Sequence, residues 1–215
     1  MSETKHKILD VAERLFAEQG FAATSLRHII AEAGVNLAAI HYHFGSKEEL
    51  LDELVGRLAG PVNVERIARL ERLEAEAGEA PLAVEPILDA FIRPGAEMAC
   101  KHPESSRMLG RMYAEGLMPT LVDRHFKPTG KRFVAALRRA VPDIPEQEFL
   151  WRVDFMIGAM SHAMVHSQVL GPHAEEDAGH AARFTVPRMS CLIAFLSAGF
   201  RAPASLVDEK VEVSQ

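Results

Sequence analysis

Three glycines, Gly20, Gly34 and Gly45, divide the first 45 residues of this chain into three short segments of apolar periodicity. In the first, Ile8, Val11, Ala12, Leu15 and Phe16 recur at the spacing of one helical face, while Lys7, Asp10, Glu13, Arg14 and Glu18 fill the other. A helix end needs a residue that tolerates left-handed backbone, and glycine does so without a Cβ clash. The second segment starts at Thr24 or Ser25, whose hydroxyls can accept from the unsatisfied amides of a first turn, and turns Leu26, Ile29, Ile30 and Ala33 inward. The third spans 37 to 44 behind Asn36. Ser46-Lys47-Glu48-Glu49 then forms a capping box for a fourth helix carrying Leu50, Leu51, Leu54 and Val55. No stretch alternates cleanly with period two, so the fold is expected to be all-α.

Gly60-Pro61 is expected to interrupt or kink the fourth helix, with helical periodicity resuming over 64–76. Further helices are expected at 83–100, where Pro94 distorts a turn, and at 103–115, 118–140, 146–169 and 185–199, about nine in all. Residues 171–182, with His173, Glu175, Glu176, Asp177 and His180, read as a polar surface loop. The breaks divide the chain into an N-terminal unit over 1–55, a larger helical unit over 56–202 and a flexible tail over 203–215.

With 215 residues, 48% of them apolar and 25% charged, the chain can bury a good core and is not a disordered one. Its net charge of −6 argues against coating nucleic acid by bulk charge and leaves only local contacts open. Cys100 and Cys191 lie in apolar helical surroundings without CxxC spacing and read as reduced core residues, which fits the cytoplasm. The N-terminus runs straight into an amphipathic pattern, unlike a secretory leader. The longest apolar stretch, 155–165, is broken by Ser161 and His162 and is too short to span a bilayer, so no membrane partner is expected.

Two helices of about eight residues joined by Gly34-Val35-Asn36 have the grammar of a helix-turn-helix, which an ordinary helical corner shares. If Ile40 and Phe44 pack inward, the third helix presents Leu37, Ala38, His41, Tyr42 and His43, a neutral face able to meet thymine methyls and base edges. Thr24, Ser25 and Asn36 stand at helix N-termini, where free amides suit phosphate oxygens, or they serve only as caps. Lys47 adds a positive charge. His162 with His166, and His41 with His43, lack an adjoining carboxylate in a ligand motif, so no metal or cofactor is expected. No nucleophile elbow or phosphate loop appears, and an enzyme is not expected.

The run Thr24-Ser-Leu-Arg-His-Ile-Ile-Ala-Glu-Ala-Gly-Val-Asn-Leu-Ala-Ala-Ile-His-Tyr-His-Phe-Gly-Ser-Lys47, with its spacing to Phe16, Gly20 and Phe21, resembles the signature of tetracycline-repressor-type transcriptional regulators over about residues 5 to 55. The resemblance implies a dimer that reads a pseudo-palindromic operator in double-stranded DNA and is released by a small ligand bound in the C-terminal unit. By position it puts Thr24, Ser25, Arg27 and Lys47 at phosphates, His41 and His43 near backbone or base edges, and Leu37, Ala38 and Tyr42 at bases. Many relatives carry lysine and glycine where Leu37 and Ala38 stand, and an aromatic in place of His41, so a phosphate contact is lost. Residues 1–50 hold five basic against seven acidic side chains, so affinity has to come from placement and from dimerisation.

Beyond residue 83 methionines and aromatics are frequent. Such stripes are core in most proteins, but together they suit a cavity for a small apolar or amphipathic effector. Phe91, Met98, Met108, Met112, Phe126, Phe155, Met156 and Met160 are the candidate lining, with Arg111, Tyr113 and His162 as polar anchors. Gly158, Ala159, Ser161 and Ala163 permit close approach of another helix. They allow either a homodimer through the last two long helices or tight packing within one chain. The rival to a ligand-responsive repressor is a helical protein–protein interaction module without DNA binding.

Overall fold

Ten helices make up the fold of residues 3–165 and 186–205, the part described in this computed structural model, excepting the side chains of Leu37, Ala39, Pro103, Met164, Val165, Val186 and Pro187. They are α1 (Glu3–Gln19), α2 (Leu26–Ala33), α3 (Leu37–His43), α4 (Lys47–Ala77), α5 (Val84–Lys101), α6 (Pro103–Ala114), α7 (Met118–His125), α8 (Lys127–Ala140), α9 (Glu146–Val165) and α10 (Val186–Arg201). No strand occurs among the described residues, as the periodicity predicts. The expected loop at 171–182 and the end of the 146–169 helix lie outside them.

Two boundaries differ from expectation. The helix expected over 118–140 is two helices. The chain turns at Phe126, where Lys127-Pro128 opens α8, because proline suits a helix's first turn and has no N–H to continue the ladder of the helix before it. Gly60-Pro61, by contrast, does not end α4, which runs 31 residues. Both residues are exposed, while Val55, Ala59, Val62, Arg66 and Leu70 stay buried on the other side, so packing holds the helix through the missing hydrogen bond.

Apolar burial forms two clusters. One joins Ile8, Leu9, Ala12, Leu15 and Phe16 of α1 to Ile29, Ile40, Phe44 and the start of α4, and takes in Met108 and Met112 of α6 and Leu121 of α7. The other joins α5, α8, α9 and α10 around Leu88, Phe133, Phe149, Ile193 and Phe200. Helix α4 spans the two, with Leu50, Leu51, Leu54 and Val55 in the first cluster and Leu70 in the second.

At the C-terminal end Arg152 donates to the carbonyls of Gly199, Phe200, Ala202 and Pro203, and the Ser205 N–H donates to Glu148 at 2.9 Å. The chain expected to fray from 203 is thus tied down through Ser205. Cys100 is half-buried and Cys191 is exposed on α10, so the expectation that Cys191 sits in the core is corrected; the two are not joined in a disulfide.

Candidate DNA-reading face and ligand cavity

The helix-turn-helix is built as its sequence dictates. Ser25 caps α2 by accepting the His28 N–H at 3.1 Å, and Gly34 closes the helix in left-handed backbone at φ 60°. Its N–H reaches Ala31 O, and the Val35 N–H reaches Ile30 O. Ile40 and Phe44 are buried, which fixes the rotation of α3 and turns Ala38, His41 and Tyr42 outward. Tyr42 is 85% exposed, an unusual state for a tyrosine that has no packing role to fill. His43 is half-buried between the Tyr42 and Phe44 rings, and His41 Nδ1 lies 3.2 Å from Gly45 O. Arg27 and Asn36 are exposed on the same motif. The Leu37 side chain lies outside the described residues.

Two residues expected at phosphates have other work. Thr24 is 1% exposed, and its hydroxyl donates to Gly20 O at 2.7 Å, so the side chain braces the α1–α2 loop and is turned away from solvent. Lys47 Nζ donates to Phe21 O and Thr24 O at 2.9 Å each and sits over the Phe21 ring at 4.2 Å. Its ammonium closes the same loop, and two of its three N–H bonds are committed there.

Behind this unit a cavity of about 670 Å³ opens between α4, α5, α6, α7, α8 and α9. That volume falls in the range of small-molecule sites. Of the residues expected to line it, Phe91, Met98, Tyr113, Phe126 and Met160 do. The others do not. Met108 and Met112 are buried in the N-terminal cluster, and Met156 packs into the second core. Phe155 is 69% exposed, and His162 is exposed on α9. Arg111 Nε donates to Ala17 O at 2.8 Å, which ties α6 to α1. Sequence reasoning missed Arg66, Ser106 and the cavity faces of α4 and α8. The signal for Arg66 was its place between Val62 and Leu70 at four-residue spacing, on the buried face of α4.

Helix α6 faces both units. Ser106, Leu109 and Tyr113 line the cavity, while Met108 and Met112 enter the N-terminal core. At its end the Glu115 carboxylate accepts the N–H groups of Phe21 and Ala22, both at 3.0 Å. The φ of 87° requires Gly20, and a Cβ there would also displace the Glu115 carboxylate from this contact.

The family model described as tetracyclin repressor-like, C-terminal domain, matches residues 89–199, and that of bacterial regulatory proteins, tetR family, matches residues 8–54. The chain belongs to the tetracycline-repressor family. Among curated members it is similar to the HTH-type transcriptional regulator AcrR of Shigella flexneri, 50% identical over 52 residues, which is 24% of this chain and 24% of that one. The chain spans about a quarter of the length of the first curated relatives it matches. Among solved structures it is similar to a putative tetR family transcription regulator from Shewanella sp. PV-4, at TM-score 0.68 and 18% identity over 92% of this chain and 98% of the other. It also matches the ketosteroid transcriptional regulator KstR2 of Mycobacterium tuberculosis, at TM-score 0.61 and 19% identity over 93% and 95%. At these identities the structures establish the tetR-type fold. This family member therefore carries at its N-terminus the helix-turn-helix unit of bacterial regulatory proteins of the tetR family. No helix among the described residues is long and apolar enough to cross a membrane, and none of them form a cluster of three or more potential metal ligands.

Proposed function

We propose that this regulator is a ligand-released repressor that reads a pseudo-palindromic operator as a homodimer. In this reading 1–55 is the DNA-binding unit, 56–202 the sensing and dimerisation unit, and the cytoplasm the site of action. The observation that carries it is the outward Ala38–His41–Tyr42 face of α3, with Tyr42 almost wholly in solvent beside exposed Arg27 and Asn36. Such a face offers an aromatic, two polar edges and a guanidinium, enough to enter a major groove without a basic helix. Ser25, His43 and Leu37 complete the candidate contacts, while Thr24 and Lys47 act by holding the loop that sets α2 and α3.

Dimerisation through the last two long helices is supported by their unpartnered apolar faces. On α9 Trp151 and Phe155, and on α10 Cys191, Ala194, Phe195 and Ala198, are exposed at helical spacing. A two-fold dimer of this kind sets two α3 helices about 34–36 Å apart, one turn of DNA. The cavity, apolar on most of its wall, supports release by a small apolar or amphipathic effector, in keeping with a structural neighbour whose name is that of a ketosteroid regulator.

Selection of bound DNA from a random pool tests the reading. A two-fold symmetric site is expected, with binding abolished by Tyr42→Ala while the melting temperature stays put. A site without symmetry sinks the dimer. Failure to enrich any DNA returns the chain to a helical protein-interaction module.

A further inference from the structure

Arg66 is the only buried cation among the described residues, and no carboxylate there pairs with it. Its Nε donates to Phe91 O at 2.7 Å and its Nη1 to Asn63 Oδ1 at 3.3 Å, and the guanidinium stacks on the Phe91 ring at 4.2 Å. A guanidinium has five N–H donors, so these contacts fix its plane and leave three to be answered. Burial alone pushes its pKa down to about 10, and at neutral pH it remains a cation. A buried charge without a counterion is held at a standing cost, which an arriving anion relieves.

The other charges on the cavity wall do not supply that anion. Asp123 is joined to Lys127 at 2.6 Å, and Glu146 faces Arg138 at 3.5 Å. Lys131 is exposed. Arg66 is thus the one desolvated, unbalanced charge on a wall otherwise lined by Phe91, Met98, Phe126 and Met160. Ser106 Oγ, on the same wall, is buried without a hydrogen-bond partner.

We propose that the effector is a monocarboxylate with an extended apolar body, its head paired with Arg66, the Ser106 hydroxyl a second polar contact and its tail along the aromatic and methionine wall. This rests on the reading of the cavity as the effector site and narrows it to one charge class. A single buried cation matches a single negative charge; a phosphate dianion would leave charge uncompensated in an apolar enclosure.

Calorimetric titration of the full chain with dodecanoic acid, its methyl ester and dodecanol tests it. The acid is expected to bind at least about tenfold more tightly than either neutral analogue, the free-energy step of one charge-assisted contact. In Arg66→Gln that advantage disappears while ester affinity is kept, and Arg66→Lys recovers part of it. Equal binding of acid and ester by the native chain overturns the carboxylate assignment and leaves the cavity reading standing. No binding of any of the three overturns both. The native comparison stands whether or not the variants fold.

Discussion

Glu115 Oε1 accepts the Phe21 N–H at 3.0 Å, joining the end of α6 to the loop that enters the helix-turn-helix. From the other side Lys47 Nζ holds the carbonyl of the same residue at 2.9 Å. Phe21 is therefore clamped by one side chain from the cavity-lining helix and one from the start of α4. A ligand that shifts Ser106, Leu109 or Tyr113 moves the helix whose end holds that clamp. The two units then have a physical connection through which each can bias the other.

Replacing Glu115 by alanine leaves two loop amides without their acceptor. Because the carboxylate is exposed and water can substitute, the stability loss is expected near the low end for charge-assisted bonds, about 1.5 kcal/mol. The larger effect falls on communication: operator binding by the ligand-free protein persists, while the ligand-induced drop in affinity shrinks. Fluorescence anisotropy on a selected operator, with and without ligand, measures both, and an undiminished ligand response would remove Glu115 from the coupling.

Arg27 and Lys47 separate in their salt dependence. Arg27 is exposed on α2, whereas Lys47 is committed to two carbonyls. Loss of one phosphate contact per subunit flattens the slope of log affinity against log salt by about 0.9 per contact, so Arg27→Ala in a dimer flattens it by roughly 2. Lys47→Met is expected to lower the melting temperature and weaken binding with little change of slope. Thr24→Val strands the Gly20 carbonyl and costs about 1–3 kcal/mol of stability, again without a salt signature. Equal slope changes for Arg27 and Lys47 would restore Lys47 to the phosphate contacts.

These differences show which parts of the site were legible. The caps at Ser25 and Ser46, the glycine at 34 and the inward pair Ile40 and Phe44 are decided by neighbours within a turn or two, and sequence periodicity carries that information. Which surface a buried stripe meets is a long-range matter. Met108 and Met112 are inward on α6 as expected, but the partner is α1, not the cavity. Thr24 and Lys47 are put at phosphates by their position in the motif, and only the fold reveals the carbonyls that occupy them. Arg66 stands in a run of alternating charges, although its spacing to Val62 and Leu70 marks the buried side of α4.

Asp52 gives a pH signature. It meets His125 Nε2 at 2.8 Å and Arg124 at 2.9 Å, across the contact of α4 with α7. Burial works to raise its carboxyl, but the hydrogen bonds from Arg124 and His125 outweigh that and hold it below the usual carboxylate range. A carboxyl depressed in the folded state stabilises above its unfolded value of about 3.9, and that stabilisation is lost as pH falls through the folded value. Asp52→Asn is thus expected to lower the melting temperature at neutral pH, with the gap to the native protein closing as pH drops below about 4. A gap that stays constant with pH would mean that Asp52 acts by packing alone.

The outward faces of α9 and α10 give the sharpest test of assembly. Phe155 is 69% and Phe195 71% exposed, yet each is flanked along its helix by further apolar or small residues. Neither touches the cores around Phe149 and Phe200 enough to be covered by them, so a charge at either position meets only water in a monomer and a partner in a dimer. Phe155→Asp and Phe195→Asp are therefore expected to leave the monomer's fold intact and to halve the mass in sedimentation. Operator affinity then drops by roughly a hundredfold or more, because each half-site is held without the effective concentration that the second supplies. A native chain that sediments as a monomer, or variants that remain dimeric, would move the interface elsewhere on the molecule.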